Sequence, residues 1–162
     1  MPRNSKALRI QIDGAARGNP GPAGIGVVIS DGAGRRIKEV SAYLGEATNN
    51  VAESCALIIA LQEALRLSAG QVAVWTDSEL LARQVTGAYR VKDRRLQWLH
   101  LLIQNLREGF KRFEIQHVPR EQNRQADRLA NRAVTEALRR QPALKRKPAS
   151  APAVPSRQPT FW

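Results

Sequence analysis

Asp13, Glu53, Asp77 and Asp127 are the residues of this chain whose types and positions promise chemistry. Asp13 ends an alternating stretch in which Leu8, Ile10 and Ile12 face one way and Arg9 and Gln11 the other. A passage rich in glycine and proline follows it, "DGAARGNPGPAGIG". Asp77 closes the short apolar run Val72 to Trp75, directly before a helical pattern. Glu53 stands in the first turn of "TNNVAESCALIIALQEAL" and shares a helical stripe with Ala56, Leu57, Ala60 and Ala64. Asp127 lies early in "NRQADRLANRAVTEAL", one turn before Ala130 and Asn131. Each has an ordinary explanation taken singly: a turn aspartate, a glutamate favouring the helix dipole, an N-cap, a solvated surface aspartate. Gathered in one crevice they would repel one another until hard cations neutralised them. An all-oxygen donor set suits Mg²⁺ or Mn²⁺. Two such ions about 4 Å apart can activate a water and stabilise the leaving oxygen of a phosphodiester.

Gathering them is the task of the surrounding elements. The patterns predict strands at 7–13, 23–31 and 35–45, a helix at 50–69 and a strand at 71–76. Helices at 78–86 and 93–109, a strand at 112–118 and a helix at 123–139 complete the reading. Three consecutive strands form an antiparallel meander, and strands separated by helices form parallel crossovers. The fold class is therefore α/β, a mixed five-stranded sheet flanked by helices. In such sheets the strand ends and neighbouring helix starts converge on one crevice. Gly14, Gly18, Gly21 and Gly24 are read as turn residues between the first two strands.

Composition narrows the chemistry. The 162 residues suit one core-bearing domain, and no run is long enough to span a membrane. The start "MPRNSKALRI" has no apolar signal core, and the single Cys55 cannot form an internal disulfide. Both features lead us to expect a cytoplasmic protein, with Cys55 a buried thiol. Net charge is +12. None of the 14 acidic residues follows Glu136, whereas Arg139, Arg140, Lys145, Arg146, Lys147 and Arg157 do. A basic body with a basic tail points to a polyanion. Clustered carboxylates on a basic surface are the expected composition of a metal-dependent nuclease.

The segments "DGAARGNPGPAGIG", "TNNVAESCALIIAL", "WTDSELLARQV" and "HVPREQNRQADRLANRA" resemble the successive motifs of type 1 ribonuclease H, in that family's order, over residues 7 to about 139. The resemblance implies a ribonuclease H-like fold. It also implies endonucleolytic cleavage of the RNA strand of an RNA–DNA hybrid with two Mg²⁺ ions, Mn²⁺ being a possible substitute, leaving 5′-phosphate and 3′-hydroxyl ends. By motif match Asp13, Glu53, Asp77 and Asp127 are the metal-binding quartet, and the resemblance favours a monomer. Gly14, Ala15, Asn19, Asn49, Asn50 and Ser78 match positions that meet the substrate, where 2′-hydroxyls distinguish RNA from DNA. Asn49 and Asn50 also suit a helix N-cap.

The chain departs from many relatives in three places. Glu79 replaces a glutamine after Asp77-Ser78. The connection "TGAYRVKDRRLQWLH" leaves no room for the family's basic helical protrusion, and Arg90, Lys92, Arg94 and Arg95 stand where some of its charge is needed. His117 lies ten residues before Asp127, the spacing of a mobile loop histidine, yet "FEIQHVPR" carries a strand pattern through it. We read His117 as a structural residue replacing an aromatic, with Arg120 and Glu121 in the loop proper. Trp75 and Trp98 are read as packing residues. A hybrid-binding module without activity, or a different nuclease on the same fold, are the rival readings.

We divide the chain into a catalytic domain at 1–139 and a disordered basic tail at 140–162, rich in proline and alanine. Gln158 with Phe161 and Trp162 resembles the Gln-x-x-Leu-Phe peptides that hold the bacterial sliding clamp, which makes that clamp a candidate partner.

Overall fold

The computed structural model describes residues 6–141. The predicted tail begins at Arg140, which is instead the last residue of a helix capped by Gln141; the rest of the tail and its clamp-like peptide fall outside the described residues.

Strands β1 (Lys6–Ala16), β2 (Gly21–Asp31) and β3 (Arg36–Ala47) form the expected antiparallel meander. Helix α1 (Asn49–Arg66) crosses to β4 (Ala69–Thr76), which pairs parallel to β1. Helices α2 (Glu79–Val85) and α3 (Arg94–Arg107) precede β5 (Arg112–His117), parallel to β4. A single 3-10 turn, Arg120–Gln122, leads into α4 (Arg124–Arg140). The sheet order is β3-β2-β1-β4-β5. Among the described residues no helix is long and apolar enough to cross a membrane.

The alternation seen in the sequence builds the core. Leu8, Ile10 and Ile12 of β1 pack with Val72 and Val74 of β4 against Ala56, Leu57, Ala60 and Leu61 of α1. Small alanines at those helix positions let α1 lie close to the sheet. Helix α4 covers the other face over β2, where its Ala126, Ala130 and Val134 are buried. The close seat depends on glycine. A Cβ at Gly26 would lie 2.1 Å from the Ala126 carbonyl oxygen, and one at Gly24 would lie 2.6 Å from that of Ala130.

Boundaries differ from expectation in instructive ways. β1 runs on to Ala16 and β2 starts at Gly21, so the turn is only residues 17–20. Of the glycines read as turn formers, only Gly18 (φ 105°) lies inside it. Gly14, Gly21 and Gly24 sit in strands, where the missing side chain admits a neighbouring backbone. α1 stops at Arg66 because Leu67 caps it and Ser68 turns the chain at φ 57°, so β4 begins two residues early, at Ala69.

Three side chains read as packing residues are not in the core. Trp98 is 70% exposed, because α3 turns Leu99, Ile103 and Leu106 inward and leaves Trp98, Leu101 and Leu102 on its outer face. Trp75 is half-buried, with the Arg9 guanidinium 4.9 Å above its ring. His117 ends β5 opposite Thr76, as the strand pattern required, but its side chain is exposed and Val118 takes the buried place. Cys55 is half-buried, and burial pushes its thiol up.

Candidate active site

Parallel pairing of β1 with β4 sets Ile12 beside Thr76, so Asp13 and Asp77 emerge side by side, each one residue beyond that pair. Glu53 reaches them from the first turns of α1. Thr48 caps that helix by accepting from the Val51 amide at 3.3 Å, which starts α1 one turn before Glu53. The helix can approach because Gly14 has no side chain: a Cβ there would lie 2.3 Å from the Glu53 nitrogen. Thus the glycine after Asp13 admits α1, rather than serving only the approach of a ligand.

The three carboxylates offer oxygen atoms that all lie within 4.8 Å of one another. Asp13 and Glu53 are each only 4% exposed. Burial first, and then the charges of Asp77 and Asp127, push the Asp13 carboxyl up to about 8. Burial followed by the charges of Asp13 and Asp77 holds Glu53 well above the usual carboxylate range, although the Gly14 amide donates a hydrogen bond to it. Glu53 Oε2 is buried with no hydrogen-bond partner. A buried carboxylate oxygen without a donor costs stability unless something binds it. The orphan oxygen, the mutual repulsion and the all-oxygen donor set fit a hard divalent cation.

Asp127 lines the same cavity, of about 230 Å³, but its carboxylate is not in the tight trio. It accepts from Arg120 Nη2 at 3.2 Å and from Asn131 Nδ2 at 3.2 Å. Arg120 is thereby held over the acidic cluster, where it draws the Asp13 carboxyl down while Asp127 raises the arginine.

The other expected positions divide clearly. Gly14, Asn49 and Ser78 line the cavity with the carboxylates. Asn19 joins them indirectly, its Oδ1 accepting from the Asn49 amide at 3.2 Å. Asn50 is exposed on the first turn of α1, and Ala15 continues β1 half-buried. The N-cap roles fall to neighbours: Thr48 caps α1, and Ser78, not Asp77, caps α2 by accepting from Leu81 at 3.2 Å. Asp77 therefore keeps its oxygens for the cluster. His117 is not among the residues lining the carboxylate cavity.

One positioning residue escaped the sequence reading. Asn123 is fully buried, and its Nδ2 donates to the Ile12 carbonyl at 2.8 Å. That bond fixes the start of α4, and so Asp127, against the strand that presents Asp13. An asparagine at the first position of the predicted helix 123–139 was the available signal, and it reads equally as a cap.

Comparisons with known proteins agree with this geometry. Residues 11–133 match the family described as Reverse transcriptase-like. Ribonuclease HI of Halobacterium salinarum is 40% identical over 137 residues, covering 85% of this chain and 69% of that protein. A bifunctional protein of Mycobacterium tuberculosis is 43% identical over 129 residues, which are 79% of this chain but only 35% of that protein. The crystal structure of LC11-RNase H1 in complex with an RNA/DNA hybrid superposes with a TM-score of 0.78 at 45% identity, over 81% of this chain and 99% of the other. With the sheet order, the strand-end carboxylates and these relatives in agreement, the chain belongs to the type 1 ribonuclease H family.

Proposed function

We propose that this chain is an endoribonuclease that hydrolyses the RNA strand of RNA–DNA hybrids to 5′-phosphate and 3′-hydroxyl ends. The observation that carries the reading is the buried Asp13–Glu53–Asp77 trio with its orphan Glu53 oxygen, in a chain of the ribonuclease H family. The hybrid bound by LC11-RNase H1 supports the substrate class. Asp13, Glu53, Asp77 and Asp127 would hold two Mg²⁺ ions, with Mn²⁺ as a substitute, and the pair would supply an activated water and stabilise the leaving oxygen.

The protein's own groups do the rest. Asp13 and Glu53 stay rigid because strand and helix backbone hold them. Asp127, tied to Arg120 and Asn131, forms the outer wall. Arg120 offers its remaining donors to a phosphate arriving at the cluster. Gly14 and Asn49 line the cluster's cavity on the α1 side, and with Ala15, Asn19 and Asn50 they would meet the minor groove and its 2′-hydroxyls. Ser78 Oγ accepts from Leu81, which leaves its hydroxyl proton to donate to substrate.

We further propose a monomeric, cytoplasmic enzyme with a catalytic unit at 1–139. The tail at 140–162 would add non-specific affinity and hold a sliding clamp through Gln158, Phe161 and Trp162. A cleavage panel tests the core reading: matched RNA–DNA hybrid, duplex RNA and duplex DNA, each with and without Mg²⁺. Internal cuts in the hybrid's RNA strand, only with the metal, are expected. Equal cutting of duplex DNA, or none of the hybrid, overturns it.

A further inference from the structure

A second cavity, of about 540 Å³, adjoins the carboxylate cavity and shares Arg120 and Asp127 with it. Arg124 and Arg128 complete its basic side, and Glu121 is its other acidic neighbour. The two arginines are one helical turn apart on α4 and exposed. Among the described residues neither makes a side-chain hydrogen bond or ion pair, whereas Arg132 on the same helix pairs with Glu136 at 2.7 Å.

Their placement works against the helix that carries them. Arg124 is a cation in the first turn, where the dipole favours anions. Arg124 and Arg128 are like charges at i and i+4, a spacing that weakens a helix. Arg120 adds a third positive charge beside them. Unpaired positive charges held against these local preferences suit a ligand that brings negative charge.

We propose that Arg124 and Arg128 grip the backbone of the RNA strand just beyond the phosphate being cleaved. The inference rests on the hybrid-cleaving function proposed above. The strand follows from adjacency. The phosphate to be cleaved lies at the carboxylate trio and belongs to the RNA, and the arginine cavity opens directly past Asp127. The next phosphates along the same strand therefore enter it. Asn49 lines the trio's cavity at the start of α1, and the arginines line the adjoining cavity across Asp127, so the scissile bond is gripped from two sides.

The test is equilibrium binding of a fluorescent hybrid to the full chain in EDTA across a salt series. Arg124→Ala with Arg128→Ala should weaken binding about tenfold at low salt. It should also lower the slope of log K against log salt by roughly 1.8, two phosphate contacts' worth. Arg124→Lys with Arg128→Lys should keep the slope. Lys6→Ala with Lys111→Ala removes equal charge at the opposite end of the sheet and should leave the slope nearly unchanged. With Mg²⁺ and saturating hybrid, kcat of the arginine pair variant should stay within about twofold while KM rises by the tenfold read in binding. Neutral methylphosphonate linkages in the RNA strand beside the cut site should abolish the difference between parent and variant. An unchanged slope in the arginine variant, an equal loss in the lysine control, or abolition by neutral linkages in the DNA strand instead overturns the inference while the proposed function stands. A parent chain that neither binds nor cuts hybrid overturns both.

Discussion

Asp13 holds its proton in the fold to about pH 8, against an ordinary value of 3.8, so protonation and stability are linked. The sign follows from that order. Between those values the folded chain keeps a proton that the unfolded chain releases. The stabilisation is complete below about pH 4 and is lost as pH climbs through about 8, by up to about 1.4 kcal/mol per unit. In EDTA, Tm should fall from pH 5 to pH 8, and Mg²⁺ should raise Tm more at pH 8 than at pH 5. Asp13→Asn should flatten the first trend, shrink the second and abolish hybrid cleavage while hybrid binding stays near parent. Calorimetry across pH, with cleavage assays alongside, checks all of these, and activity within tenfold of parent at saturating Mg²⁺ would sink the metal-ligand role. Asp127→Asn should keep measurable activity, since an amide retains one oxygen and Asp127 stands outside the trio. His117→Ala, read from sequence as a loss of structural packing, should change Tm by little because the ring is exposed. A rate loss above about 100-fold with unchanged Tm would make it a proton-transfer residue. The trio was legible because strand-end and helix-start positions can be counted along the chain. Asn123 was not, because its partner Ile12 is 111 residues away and nothing local names it.

At the scale of elements, strand and helix types were legible because hydrophobic period survives in any environment, and all nine main elements stand where their patterns put them. The glycines were misassigned for a physical reason. In sequence a glycine signals a turn, but Gly14 and Gly24, like Gly26 within its predicted strand, are required by approaching helices, and only packing reveals that. Gly26→Ala should therefore destabilise by about 1–3 kcal/mol, since its Cβ would meet the rigid Ala126 carbonyl and α4 would have to lift. Lifting α4 also moves Asp127, so activity should fall further than the loss of folded protein explains. Urea melts paired with specific activity at low denaturant separate the two effects. Activity that tracks only the folded fraction would mean that the seat of α4 is structural alone. Trp98 was read inward because tryptophan usually is; the stripe of Leu99, Ile103 and Leu106 fixes the rotation of α3 and leaves Trp98 outside.

Over the whole molecule, charge and length were legible from composition, and the functional ends of the sheet from topology. The C-terminal basic segment carries a separate expectation. A peptide of residues 153–162 should bind purified sliding clamp at micromolar strength, and Phe161→Ala with Trp162→Ala should remove the binding. Titration that shows nothing near about 100 μM leaves the tail only its electrostatic contribution. The bond from Asn123 to Ile12 has a further meaning, one of time. Of the described elements β1 is made first and α4 last, so the Ile12 carbonyl of β1 and the bare backbone at Gly24 and Gly26 of β2 wait for α4. Closure across so much chain is slow by topology. A growing chain can thus bring Asp13, Glu53 and Asp77 to the same sheet before the wall that carries Asp127 exists. Its carboxylate site is completed only once α4 has been made. A chain stopped at Gln122 should accordingly leave the amides of β1 and β2 open to hydrogen exchange, and protection there equal to that of the full chain would remove this timing.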